Sequence, residues 1–309
     1  MKWKLYSHNF AKPKRAESDR GFTLVELLAA LTVGMLLLGL TMATTLSNRN
    51  LYQDDLARTR LNQNLRGALD IMGVNVREAG ENLSAIFPAV DIVDGGGENP
   101  DQLTLRRNLR DEVLKLCTPI TAGSTVNEVY FATEGATPGC TYSSNHYSFT
   151  SWQTYRTEND DEVRAYIYDT TAEHGEFFNY TGETDTGTEL FLETDGGTWL
   201  NSYAVESSSI YLIEQWHFRL GNLSDGTSVL ELVENGDEDN PMNVVPGITG
   251  FQVAVVMPDD TIYDDIQVDD NWTDVKAFQI TLTGQDSSLG QGITRSLTSR
   301  YFPRNVLSN

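Results

Sequence analysis

From Phe22 to Leu46 the chain runs through 25 residues of which Glu26 is the only charged one. As an α-helix that run rises about 37 Å at 1.5 Å per residue, enough to cross a bilayer core of ~30 Å with some tilt. A carboxylate inside it costs about 2.5–3.5 kcal/mol at mid-bilayer on insertion scales, so Glu26 calls for a partner or a function. Further on, Leu61, Leu65, Leu69, Met72 and Val76 recur at spacings of three and four, which draws one apolar stripe along a helix. Gly80 supplies a stop just past the stripe, and no proline interrupts the chain between Pro13 and Pro88. The pattern predicts a single helix from about Phe22 to Ala79, a membrane span continuing into a stalk.

After Ile86 the pattern becomes that of short strands and turns. Asp94–Pro100 is rich in glycine and reads as a loop. Strands are predicted at Gln102–Arg106, Val126–Ala132, Val163–Tyr168, Glu189–Leu192, Ile210–Leu220, Ser228–Val233, Gly250–Met257, Val275–Thr283 and Thr294–Phe302. Thr133–Arg156 and Thr170–Thr188, rich in Gly, Thr, Ser and Asn, are expected to be loops. A helix followed by a run of mostly antiparallel strands is α+β architecture, in which the helix stripe is buried on a sheet face. No internal repeat is visible.

Charge refines the picture at both ends of this scheme. Residues 1–21 hold six basic side chains (Lys2, Lys4, Lys12, Lys14, Arg15, Arg20) against Glu17 and Asp19. Positive charge just before the span places the N-terminus in the cytoplasm and the remainder across the membrane. The apolar run is longer than that of a secretory signal, and Thr41-Met42-Ala43 imitates such a cleavage site poorly. The whole chain carries −22, so the part after residue 21 carries −26. A surface that acidic repels nucleic acid and anionic lipid. Solubility or a salty habitat explains the acidity without a ligand.

Cys117 and Cys140 both fall beyond the span, where disulfides form, and 23 positions separate them. A disulfide is expected, with two buried thiols as the alternative. Enzyme readings find little support. His8, His146, His174 and His217 are scattered, and no HExxH, CxxC or G-x-S-x-G pattern occurs. The turn Asn235–Asn240 and the Asp pairs at 259–260, 264–265 and 269–270 offer oxygen ligands that calcium could use, but without EF-hand spacing. A solvated acidic turn is the simpler reading, and no metal or cofactor is expected. The five tryptophans read as packing residues, with a sugar platform as the alternative.

Gly21-Phe22-Thr23-Leu24-Val25-Glu26 resembles the class III signal of type IV prepilins. The resemblance implies cleavage between Gly21 and Phe22 by a prepilin peptidase and N-methylation of Phe22. It also implies that Glu26 pairs with the N-terminal amine of a neighbouring subunit during assembly. An intramolecular pair with the amine of Phe22 is the plainer version. Near the C-terminus, Asn243–Ile248, Phe251–Val253, Trp272–Leu282 and Arg300–Asn305 are similar to the ending of PilW-type minor pilins and of J-type minor pseudopilins of type II secretion. The implied fold is pilin-like: a leader at 1–21, a transmembrane and stalk helix at 22–80, and a β-rich periplasmic head at 81–309.

The implied function is initiation or capping of a type IV pilus from the inner membrane, without catalysis. The implied partners are other minor pilins, the major pilin, the prepilin peptidase, the inner-membrane assembly platform and a large tip adhesin. Two other readings remain: a J-like pseudopilin, and a membrane-anchored periplasmic enzyme or ligand-binding protein.

Overall fold

The computed structural model describes residues 21–97, 99–135, 137–144, 147–159, 163–266, 271–286 and 292–305. The leader up to Arg20, with His8, and also His146 and the Asp pair at 269–270 lie outside the described residues. The elements are α1 (Leu24–Glu78), β1 (Val90–Val93), β2 (Gln102–Asn108), β3 (Leu114–Lys115), β4 (Glu128–Ala132), α2 (Tyr147–Glu158), β5 (Val163–Asp169), β6 (His174–Asp185) and β7 (Leu190–Thr194). They continue with β8 (Ser208–Tyr211), β9 (Ile213–Asn222), β10 (Ser228–Glu234), β11 (Met242–Pro246), β12 (Ile248–Val256), β13 (Ile262–Tyr263), β14 (Ala277–Asp286) and β15 (Ile293–Tyr301). This is α+β, pilin-like architecture: a long N-terminal apolar helix followed by an antiparallel β-sheet head.

The chain divides at Asp55 into two units. In the first, α1 is apolar and exposed, with a mean hydropathy of 2.1 over its most apolar window, long and apolar enough to cross a membrane. Its polar side chains satisfy themselves along the helix. The hydroxyls of Thr32, Thr41, Thr44 and Thr45 donate to carbonyls three or four residues back, at 2.7–3.1 Å. In hydrocarbon that leaves no hydroxyl without a partner in this run.

In the second unit the stripe Leu61, Leu65, Leu69, Met72 and Val76 is buried, as its periodicity requires. α1 ends at Glu78, and Gly80 follows with φ +80°, a left-handed conformation that glycine adopts without strain. The strands form three sheets, ordered β1-β2-β9-β10-β11, β13-β12-β14-β15 and β3-β8-β5-β6-β7-β4. Helix stripe, five-stranded sheet and four-stranded sheet share one hydrophobic core. A second core lies between the six-stranded sheet and α2, around Trp152, Tyr180, Ile167 and Leu192.

The six-stranded sheet belongs to an insertion. β2 pairs with β9 up to Asn108↔Ile213, so the chain from 109 to 212 leaves one hairpin and returns to it. Backbone Leu109 donates to the Leu212 carbonyl at 2.8 Å, and Leu212 N–H donates to Asn108 Oδ1 at 3.1 Å, which closes the neck. Tyr166, Tyr168 and Tyr211 cross from this lobe to Phe87, with ring centroids 4.8–6.0 Å apart. Inside the lobe, Arg156 of α2 makes a two-pronged ion pair with Glu183 of β6, both bonds 2.9 Å.

Four expectations need correction. The helix starts at Leu24, two residues later than expected, because Thr23 caps it. Ile210–Leu220 is not one strand: it breaks at Leu212, where the chain passes from β8 in the insertion to β9 in the five-stranded sheet. Thr133–Arg156 contains most of α2, whose Phe149, Trp152 and Tyr155 recur every third residue to meet the second core. Thr170–Thr188 contains the twelve-residue strand β6, in which Phe178, Tyr180 and Gly182 alternate inward.

Candidate functional site

The residues expected to carry processing and assembly lie together at the start of α1. Gly21, Phe22 and Thr23 precede the helix and are exposed, Phe22 at 85%. Nothing surrounds the Gly21 α-carbon within the reach of an added Cβ. Thr23 Oγ1 accepts from Glu26 N–H at 3.2 Å, while Glu26 Oε2 accepts from Thr23 N–H and from the Thr23 hydroxyl, both at 2.9 Å. This is a capping box, in which two helix-end donors satisfy each other's residues reciprocally. The sequence carried its signature, Thr-x-x-Glu before an apolar run, and the reading of Glu26 as an assembly residue passed over it. Glu26 Oε1 has no hydrogen-bond partner among the described residues.

At its other end α1 is held by the C-terminal motifs. The Tyr301 hydroxyl donates to the Leu69 carbonyl at 2.7 Å, and a Cβ at Gly73 would overlap the Tyr301 ring. Arg77 lies 5.5 Å above the same ring. Trp272 occupies the space over Gly80. Asn305 Nδ2 donates to the carbonyls of Glu78 and Ala79 at 3.3 and 3.0 Å, serving the unpaired end of the helix. Arg107 of β2 joins Glu78 at 2.7 Å and Glu214 at 2.5 Å. The stretches Trp272–Leu282 and Arg300–Asn305 thus meet the C-terminal half of α1, a role their motif resemblance did not reveal.

The remaining candidates lie in the head, each with its own local contacts. Cys117 and Cys140 are joined by a disulfide with α-carbons 5.6 Å apart, inside the insertion. His217 packs between β2 and β10, its Nδ1 3.3 Å from the Thr104 hydroxyl, and burial draws its imidazole below the ordinary value. His174 contacts the Ser202 carbonyl at 3.1 Å and the Tyr203 ring. In the acidic turn, Asn235 Oδ1 accepts from Gln215 N–H, Glu238 pairs with Arg219, and Asp237 accepts from Asn240. Asp259 accepts from Thr261, and Asp260 pairs with Lys276. Among the described residues no group of three His, Cys, Asp or Glu is placed to hold a metal ion. Trp152, Trp199, Trp216 and Trp272 are buried.

Residues 18–42 match the prokaryotic N-terminal methylation motif. No curated protein and no solved structure matches the chain. The motif covers the residues around Gly21 and the first turns of α1, and with the architecture it supports a type IV pilin-like or pseudopilin protein. A chain of this kind is membrane-anchored through one apolar helix and associates with other pilins and a prepilin peptidase.

Proposed function

We propose that the chain is a minor pilin of the PilW type, which takes part in initiating or capping a type IV pilus. Residues 1–21 form a cytoplasmic leader that the prepilin peptidase removes between Gly21 and Phe22, and the new amine of Phe22 is methylated. Residues 22–80 anchor the protein in the inner membrane, and 81–309 form the periplasmic head. Assembly is by association, without turnover or cofactor: α1 joins a bundle of like helices, and Glu26 meets the amine of a neighbouring subunit. The observation that carries this reading is the coincidence of the methylation motif with a helix apolar enough to span a membrane. Other minor pilins, the major pilin, the assembly platform and a tip adhesin are the partners it calls for.

The test is the N-terminus of the mature protein. Mass spectrometry should find a chain beginning at methylated Phe22, and replacing Gly21 by a bulky residue should leave the precursor uncut. A protein that keeps residues 1–21, or loses them in the Gly21 variant as well, would be an ordinary anchored periplasmic protein. Pili lost on deletion, with secretion unchanged, separate this reading from the J-like pseudopilin.

A further inference from the structure

We propose that the outer edge of β15 receives an acidic, extended segment of a partner protein as an added strand. Of the sheet edges among the described residues, β15 is the long regular one. It pairs with β14 without a bulge from Phe278↔Tyr301 to Asp286↔Ile293, nine residues. The other edges are blunted. β3 and β13 are two residues long, and β1 four. β4 pairs through an irregularity at Tyr130/Ala132, and β11 is short and ends in Pro246. Bulges, prolines and brevity, which stop a sheet edge from recruiting another strand, are missing from β15, and what guards its edge is charge. Among the described residues its far side has no strand partner, and Thr294, Arg295, Ser296, Thr298 and Arg300 are exposed.

Charge selects the occupant. Residues 292–305 hold Arg295, Arg300 and Arg304 and no acid, in a chain of −22. Side chains alternate faces along a strand, so Arg295 and Arg300 flank the edge from opposite faces. In an antiparallel pair of two β15 strands in full overlap, Arg295 would face Ser299 and Arg300 would face Thr294, so a second copy's β15 brings no carboxylate to either arginine. A strand with carboxylates gains both the main-chain ladder and the charge match, the mode of edge addition in which backbone gives affinity and side chains give selection. The inference is independent of the helix-based assembly reading.

The test uses the full chain in detergent micelles and two nine-residue Val/Thr probes, one with Glu and the other with Lys at two positions five residues apart, so that each carries charge on both faces. The acidic peptide should bind at least tenfold more tightly and slow amide exchange in β15. The Arg295→Glu/Arg300→Glu double variant should reverse the preference, and Arg295→Lys/Arg300→Lys should keep it. Absence of saturable binding by the acidic peptide overturns the proposal. So does binding that ignores charge reversal, or protection of β15 by self-association alone.

Discussion

The Tyr301 hydroxyl reaches the Leu69 carbonyl across 232 positions of sequence, fastening the last strand to the helix that opens the fold. The bond is buried, so its loss leaves a carbonyl short of one partner and a ring without its anchor. Tyr301→Phe should cost about 1 kcal/mol. Gly73→Ala should cost more, about 1–3 kcal/mol, because its Cβ overlaps the Tyr301 ring and one of the two must shift. Chemical denaturation of the detergent-solubilised protein reads both; equal stability of Gly73→Ala and the parent would refute the close packing.

Cys117 and Cys140 enclose a loop of 23 positions in the insertion. Removing the bridge should destabilise the protein by about 3 kcal/mol on the chain-entropy model. Thiol-reactive reagent should label the native protein only after reduction. Labelling of both cysteines without reductant would exclude the bridge.

Asp169 gives an acid limit. Burial raises its carboxyl, but hydrogen bonds from Thr171, Ala172 and Ala204 N–H outweigh that and hold it well below the ordinary carboxylate range. A group depressed in the folded state contributes stability above its unfolded value, near 3.9, and loses it as pH falls through the folded value. Stability should therefore decline as pH drops below about 4, and Asp169→Asn should flatten that decline while lowering stability at neutral pH by about 1–3 kcal/mol. An unchanged acid profile in the variant would assign the limit to other groups.

The assembly role proposed for Glu26 can be tested apart from anchoring. Glu26→Val should insert at least as well as the parent, since a carboxylate opposes insertion. Cleavage should continue, because Thr23 Oγ1 still accepts from the backbone N–H of residue 26 and keeps the helix start in place. Recruitment should fail: an unpaired buried amine costs about 3–5 kcal/mol, roughly two to four powers of ten in association. Glu26→Gln should be intermediate. Co-purification with partner pilins, in strains with equal processed protein, measures it, and normal recruitment of the valine variant would leave Glu26 without an assembly role.

Much of the scaffold was legible because its signals are local. The stripe from Leu61 to Val76 is a period that only a helix satisfies, and strands such as Ser228–Val233 and Gly250–Met257 are dense in β-branched residues. What escaped was non-local or diluted. α2 hides Phe149, Trp152 and Tyr155 among serines and threonines, and β6 hides its alternation among glycine, glutamate and threonine. The break at Leu212 had no local mark, since that residue's N–H and carbonyl are taken by Asn108 and Leu109, far away in sequence. At the candidate site, Gly21, Phe22 and Glu26 stood out by motif, while the clamp by Trp272, Tyr301 and Asn305 depended on the folded path of the chain.

The neck at Asn108 and Ile213 also dictates an order of events in time. Closing a hairpin through 104 disordered residues costs about 3–4 kcal/mol more than closing it through a two-residue turn. A lobe that has already folded holds Leu109 and Leu212 together, so its own contacts have offset that cost before β2 meets β9. The inserted lobe should thus form early, and the five-stranded sheet should close late around it. In pulse-labelled refolding, amides of β5 and β6 should gain protection before those pairing β2 with β9. The five-stranded sheet's part of the shared core would then stay open until the inserted lobe is finished, a temporary cleft for a chaperone, while β14 and β15 already cover the helix stripe.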